Sequence, residues 1–157
     1  MFLRALLKLL APLFYSVASR AFRSRWFSRS DRKQRWVMSA FRLAADIGHR
    51  DALSVYGHLL LLRGDSLQSK IQGGIYLERA AKMGEMKAQY QMARIYEEGF
   101  KPHFSIDQAK ALNTYQQAAE QHHILAATRL AEAYKNGELG LQPDSQQAQH
   151  WQQMIVS

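Results

Sequence analysis

Small residues return along this chain at two nearly equal intervals, and that repetition constrains the fold more than any other feature. Ala45, Ala81 and Ala119 stand 36 and then 38 residues apart, and Ala52, Ala88 and Ala126 keep the same intervals. Gly57, Ala93 and Ala131 follow the same register, as do Leu60, Tyr96 and Tyr134. A period of this length marks stacked supersecondary units, each of which exposes an apolar face until a neighbour covers it. Small residues recur where two helices must approach closely, and large ones recur where the space between them must be filled.

The stretch from Ala88 to Ala119 shows what one unit is. Both of its halves carry apolar or small residues at helical spacing, and a loop with Gly99 and Pro102 separates them, so it reads as an αα-hairpin. The spacing predicts helices over 32–47, 51–62, 69–83, 87–98, 106–121, 124–136 and 144–155. Gly48, Gly84 and Asn136-Gly137 are the stop signals, with His122-His123 in the turn position that Gly48 and Gly84 hold earlier. Ser105 or Asp107 caps the helix at 106, and Asp144 the last one. No stretch reads convincingly as a strand. The fold class expected is therefore all-α, a solenoid of about three αα-hairpin repeats, with the 32–47 helix as a half-repeat cap.

The residues of the middle unit, Ala88-Gln89-Tyr90, Met92-Ala93, Tyr96 and Gly99, then Asp107, Ala111-Leu112, Tyr115 and Ala118-Ala119, resemble the Sel-one-like repeat family, relatives of the tetratricopeptide repeats. Ala126, Leu130-Ala131, Tyr134, Asn136-Gly137, Asp144, Ala148 and Trp151 look like a second copy. Asp51–Gly84 looks like a degraded one, retaining Ala52, Gly57, Tyr76, Leu77, Ala80 and Ala81. The resemblance covers residues 36–155. Two departures stand out: a longer inter-helix loop at 100–106, and Ile155-Val156 in place of the Ala-Ala pair where the array stops. The resemblance implies a non-catalytic adaptor or scaffold whose first helices line a concave, partner-binding face. On those helices Val55, Gln91 and Arg129 share one variable column, and His58, Arg94 and Glu132 share another. This mixed polar surface suits a protein or peptide segment. The alternative is that these are ordinary solvated positions. Because Arg94 and Arg129 lie on first helices at variable repeat columns, reversing either is expected to weaken capture without lowering the melting temperature.

Charge divides the 157 residues differently from the repeats. Residues 1–35 carry nine Lys/Arg against one acid, Asp31, which accounts for the whole net charge of +8; the remainder is balanced. The domain organisation read from this is an arm over 1–30 and a repeat domain over 31–157. Residues 2–23 read as an amphipathic, basic N-terminal helix, interrupted or kinked at Pro12. A 100° wheel puts Arg4, Lys8, Tyr15, Ser16, Ser19 and Arg23 on one side. Leu3, Leu6, Leu7, Leu10, Leu13, Phe14 and Val17 fall on the other. The longest charge-free run, Leu9–Ser19, is far short of the roughly 20 residues that span a bilayer. The pattern therefore points to an anionic membrane surface, with Leu6, Leu10 and Phe14 inserted and Arg20, Arg23, Arg25 and Trp26 at the headgroups. The location expected is membrane-associated with the repeats on the cytoplasmic side. A cleaved presequence, leaving a mitochondrial protein, is the alternative in a eukaryote. Nucleic acid is the least favoured partner, because it leaves the apolar face of residues 2–17 without a role.

No chemistry asserts itself. There is no cysteine, hence no disulfide framework or thiolate metal site. No glycine-rich phosphate loop follows a strand, so no cofactor is expected. His122 and His123 are adjacent and would diverge by about 100° on a helix, so no metal site is read there. Glu97-Glu98 reads as a solvated last helical turn, and the repeated tyrosines with Trp151 as packing.

Overall fold

The computed structural model describes the backbone of residues 2–23 and 31–156. Among them are eight α-helices and no strand: α1 (Phe2–Arg23), α2 (Asp31–Asp46), α3 (Arg50–Arg63), α4 (Leu67–Lys82), α5 (Met86–Glu98), α6 (Gln108–Glu120), α7 (Ile124–Asn136) and α8 (Ser145–Val156). The all-α hairpin-repeat fold expected from the period is the one observed, with helix ends within about two residues of the signals that mark them. The chain forms two compact units, Met1–Ala80 and Ala81–Ser157.

In the first unit, α2 turns Val37, Phe41, Ala44 and Ala45 inward, the helical spacing of a buried stripe. α3 adds Ala52, Leu53, Tyr56 and Leu59, and α4 adds Ile71, Tyr76, Leu77 and Ala80. α3 and α4 cross at two glycines. A Cβ on Gly57 would stand 2.8 Å from the Gly73 carbonyl oxygen, and one on Gly73 would stand 2.7 Å from that of Gly57. The small column of the repeat is thus a place where backbones touch. Beside it Tyr56 and Tyr76 meet edge to face, 5.1 Å between centroids. The Tyr76 hydroxyl donates to Asp46 Oδ1 at 2.6 Å and so ties α4 to the end of α2. Burial first, and the Asp46 carboxylate second, push this phenol up to about 12.

α1 runs as one helix through Pro12 and is seated on α2. Ala11 and Ala18, seven residues apart, are buried. Between them Tyr15 packs on Phe41 at 5.9 Å and stacks on His49 at 4.8 Å, while Phe22 meets Phe41 edge-on. Tyr15, on the polar side of the wheel, is therefore half-buried against α2 and not solvated. Close approach explains the difference, because only the face with alanines on either side of Tyr15 lets α1 come near α2, whereas the leucine face is too bulky. α2 consequently has a helix on each side, α1 and α3.

In the second unit α5 pairs with α6 and α7 with α8, and α6 packs on α7. Ala93, Ala111, Tyr115, Ala118, Ala119, Ala126, Leu130 and Trp151 form one core, with Tyr90, Tyr96, Tyr134 and Ile155 packed against it. Ile155, which stands in place of the second copy's Ala-Ala pair, is half-buried there. Gln89, buried within α5, is satisfied by α6: it accepts from Gln121 Nε2 at 2.7 Å and donates to Gln117 Oε1 at 3.4 Å. The two second helices start alike. Asp107 N–H donates to the Tyr96 carbonyl at 2.7 Å, and Asp144 N–H to the Tyr134 carbonyl at 2.8 Å. Each aspartate then caps its own helix, Asp107 by accepting from Lys110 N–H and Asp144 from Gln146 and Gln147 N–H. Asp107, not Ser105, is therefore the cap. The long loop closes on itself through paired bonds between Phe100 and Phe104, with the Phe104 ring buried.

Candidate functional site

The first helix of every hairpin is launched by the same two-residue device. Gly48 and Gly84 adopt φ of +94° and +79°, and His122 adopts +65° at the equivalent place. That left-handed conformation costs an L-residue roughly 1–2 kcal/mol, and His is among the types that tolerate it. The next residue is the N-cap. His49 Nδ1 accepts from Ala52 N–H at 3.3 Å, Glu85 Oε2 from Ala88 N–H at 2.6 Å, and His123 Nδ1 from Ala126 N–H at 3.3 Å. An imidazole accepts at Nδ1 only when neutral with its proton on Nε2. Burial lowers the His123 pKa and Lys87 adds to this, outweighing the Glu85 charge that raises it, so the neutral form is favoured. The ring also stacks on Tyr90 at 4.4 Å, as His49 stacks on Tyr15. Sequence reasoning missed these caps because Ser, Thr, Asp and Asn are the usual ones. The signal was nonetheless present: 49, 85 and 123 keep the repeat's intervals of 36 and 38.

Glu97 is a heavily engaged polar group of the second unit. Its Oε2 accepts from the buried Tyr115 hydroxyl at 2.7 Å. Its Oε1 accepts from Arg129 Nε at 3.0 Å and Nη2 at 2.5 Å. Arg129 Nη1 also pairs with Glu138, just beyond α7. One carboxylate thereby binds α5, α6 and α7 together. Both the Glu97 and Arg129 side chains are only 23% exposed. Burial alone pushes the Glu97 carboxyl up, but hydrogen bonds from Arg129 and Tyr115 and the charges of Arg129 and Arg94 outweigh it. The net pKa lies below the ordinary carboxylate value. Burial first, then Glu97, raises the Tyr115 phenol. The expectation of a solvated carboxylate pair therefore holds for Glu98, which is exposed and pairs with Arg94 at 3.0 Å, and fails for Glu97.

The candidate groove residues divide accordingly. In the first unit, Val55 and His58 are half-buried on α3. In the second unit, Gln91 is half-buried on α5, whereas Arg94 on α5 and Glu132 on α7 are exposed. Arg129 is not a free solvated position: its guanidinium is held between two carboxylates. Reversing it would set a third carboxylate beside Glu97 and Glu138, so the expectation that Arg129→Glu leaves the melting temperature untouched is corrected. Repeat register identifies a column but does not say which of its members a neighbouring repeat has claimed.

Of the arm residues, Leu6 lies in α1 but its side chain is outside the described residues, as are Arg25 and Trp26 altogether. Leu10, Arg20 and Arg23 are exposed and Phe14 is half-buried. The docked α1 leaves out Leu9, Leu10, Leu13 and Val17, with Leu9 77% and Leu13 59% exposed. No helix among the described residues is long and apolar enough to cross a membrane. Nor do three His, Cys, Asp or Glu side chains among them gather as a metal site would require.

Comparison with known proteins agrees with this geometry. The Sel1 repeat profile matches residues 50–85, 87–123 and 124–154. A Sel1 repeat protein from Oxalobacter formigenes superposes with a TM-score of 0.68 at 22% identity, over 75% of this chain and 88% of that one, a likeness of fold. A protective antigen present in uropathogenic Escherichia coli strains, displaying an SLR fold, gives a TM-score of 0.68 at 28% identity, over 76% of this chain and 25% of that one. The chitin synthase regulator SKT5 of Saccharomyces cerevisiae is 31% identical over 129 residues, 76% of this chain and 18% of the yeast protein. The chain thus spans about a fifth of that curated relative. Three matched copies over more than half of the sequence, on hairpins whose turns and caps repeat in the same register, place the chain in the Sel1 repeat family, whose members generally serve as protein–protein interaction modules.

Proposed function

We propose that this protein is a non-catalytic adaptor that meets a protein or peptide partner through its first helices and is held at an anionic membrane surface by α1. Arg94 and Glu132 are the exposed groups of the partner face. The observation that carries the attachment is how α1 sits: its alanine and tyrosine face is spent on α2, and its leucine stripe is left in water. Leaving water is worth about 1–2 kcal/mol for each such leucine. Arg20 and Arg23, exposed at the end of the same helix, add about 1 kcal/mol each near anionic lipid. The charge distribution supports the same reading, since the whole +8 lies within residues 1–35.

Flotation of the full chain with phosphatidylglycerol-containing vesicles tests the attachment. Leu10→Glu with Leu13→Glu should abolish binding without changing the helical melt, because both side chains are exposed. Arg20→Glu with Arg23→Glu should weaken it in part, and raised salt should mimic that pair, because screening acts within a Debye length of ~8 Å. If the leucine pair bound like the parent, the apolar face would have no part in attachment and the reading would fail.

A further inference from the structure

A second helix carries an outward apolar stripe of its own. On α2 the inward stripe, Val37, Phe41 and Ala44, is buried, yet Trp36 is 56% and Leu43 41% exposed. These two stand seven residues apart, hence on one stripe of the helix. Arg32, Arg35 and Arg42 are exposed on the same helix. A tryptophan half in water is unusual here, because Trp151 is 6% exposed and filled into a core. Indole has an apolar body and one N–H, and with arginine beside it this is the composition of a headgroup-level anchor.

We propose that the α2 stripe of Trp36 and Leu43 is a second lipid-contact element, entering the headgroup region of an anionic bilayer while α1 stays docked on α2. The inference rests on the membrane reading of α1 and extends it from one helix to a packed pair. The contacts of Tyr15 and Phe22 with Phe41 join the two helices, so neither apolar stripe has to unfold to reach lipid. Charge complementarity selects the occupant. The acid near the stripe's end, Asp46, is already engaged by Arg42 at 3.6 Å and by the Tyr76 hydroxyl, which leaves Arg32 and Arg35 to set the local sign. A neutral apolar partner would gain nothing from them.

The full chain carrying Trp26→Phe retains Trp36 and Trp151 as its fluorophores. On phosphatidylglycerol-containing vesicles with acyl-brominated lipid, its emission should move to shorter wavelength and be quenched. Adding Trp36→Phe should remove both changes, since Trp151 is sealed in the other unit. Trp36→Glu with Leu43→Glu should lower vesicle affinity by at least about tenfold, since two partly exposed apolar side chains are lost together, and leave the helical melt unchanged. Flotation of Trp26→Phe without quenching would overturn this inference and leave α1 attachment standing. Absence of flotation by the parent itself would overturn both. Light scattering that shows a dimer without lipid, with Trp36 emission already at short wavelength, would assign the stripe to a second copy and overturn the lipid proposal.

Discussion

Replacing Glu97 by Gln tests the tie between helices most directly, because it keeps shape and removes charge. The carboxylate accepts three hydrogen bonds, from Tyr115 and twice from Arg129, and both ionic partners are about three-quarters buried. An exposed pair of this kind would contribute about 0–1 kcal/mol. Removing one partner of a fully buried pair costs about 3–5 kcal/mol. Glu97 stands between those limits, and Arg129 keeps Glu138 when Glu97 is neutralised. The expected cost is therefore about 2 kcal/mol, in line with hydrogen bonds to charged groups. In a unit of this size each kcal/mol moves the melting temperature by about 4–8 °C. A cycle of Glu97→Gln, Arg129→Met and the double substitution, read by urea and thermal melts of the full chain, should give a coupling of about 1–2 kcal/mol. The pH dependence supplies a second check. Because the folded pKa of Glu97 is depressed, its contribution is complete above the unfolded carboxylate value of roughly 4.3 and is lost as pH falls through the folded pKa. Parent and Glu97→Gln melts should converge in acid. A coupling of only a few tenths of a kcal/mol, or a gap that persists in acid, would refute the claim that this carboxylate binds three helices.

Two further outcomes follow from the turn and the crossing. His123 has a lowered folded pKa, so its stabilisation is present above the unfolded value of roughly 6.5 and declines as pH falls toward the folded one. His123→Asn keeps a capping acceptor without titrating, and its melting temperature should fall less than the parent's between neutral and mildly acidic pH; equal slopes would remove the neutral cap from the argument. Gly73→Ala sets a Cβ 2.7 Å from the Gly57 carbonyl and 2.8 Å from Leu61 N, and should cost about 1–3 kcal/mol despite alanine's better helix propensity. A variant more stable than the parent would mean that α3 and α4 do not touch there.

The sequence by itself determined that this is a chain of helical hairpins, where each one starts and stops, and which residues are small at the crossings. It could do so because those properties are local. A helical period, a left-handed turn residue and an aspartate at a helix start act within a few residues of themselves, and repetition at 36 and 38 residues shows each signal more than once. The basic arm was legible for the same reason, as a property of composition. Tertiary structure decided what depends on partners distant in the chain. Glu97 and Arg129 are 32 residues apart, and both positions look solvated until α5, α6 and α7 are stacked, when each side chain becomes the other's counter-ion. The face of α1 was decided there too. The wheel separated a leucine side from a polar side and turned the leucines toward lipid, but it did not show that α1 would dock on α2. Docking is governed by how closely two backbones can approach, so Ala11 and Ala18 are buried, Tyr15 is half-buried between them, and Leu9, Leu10, Leu13 and Val17 are left out. A pattern along one helix records its amphipathicity; which face is buried is settled by the shape of the surface that it meets.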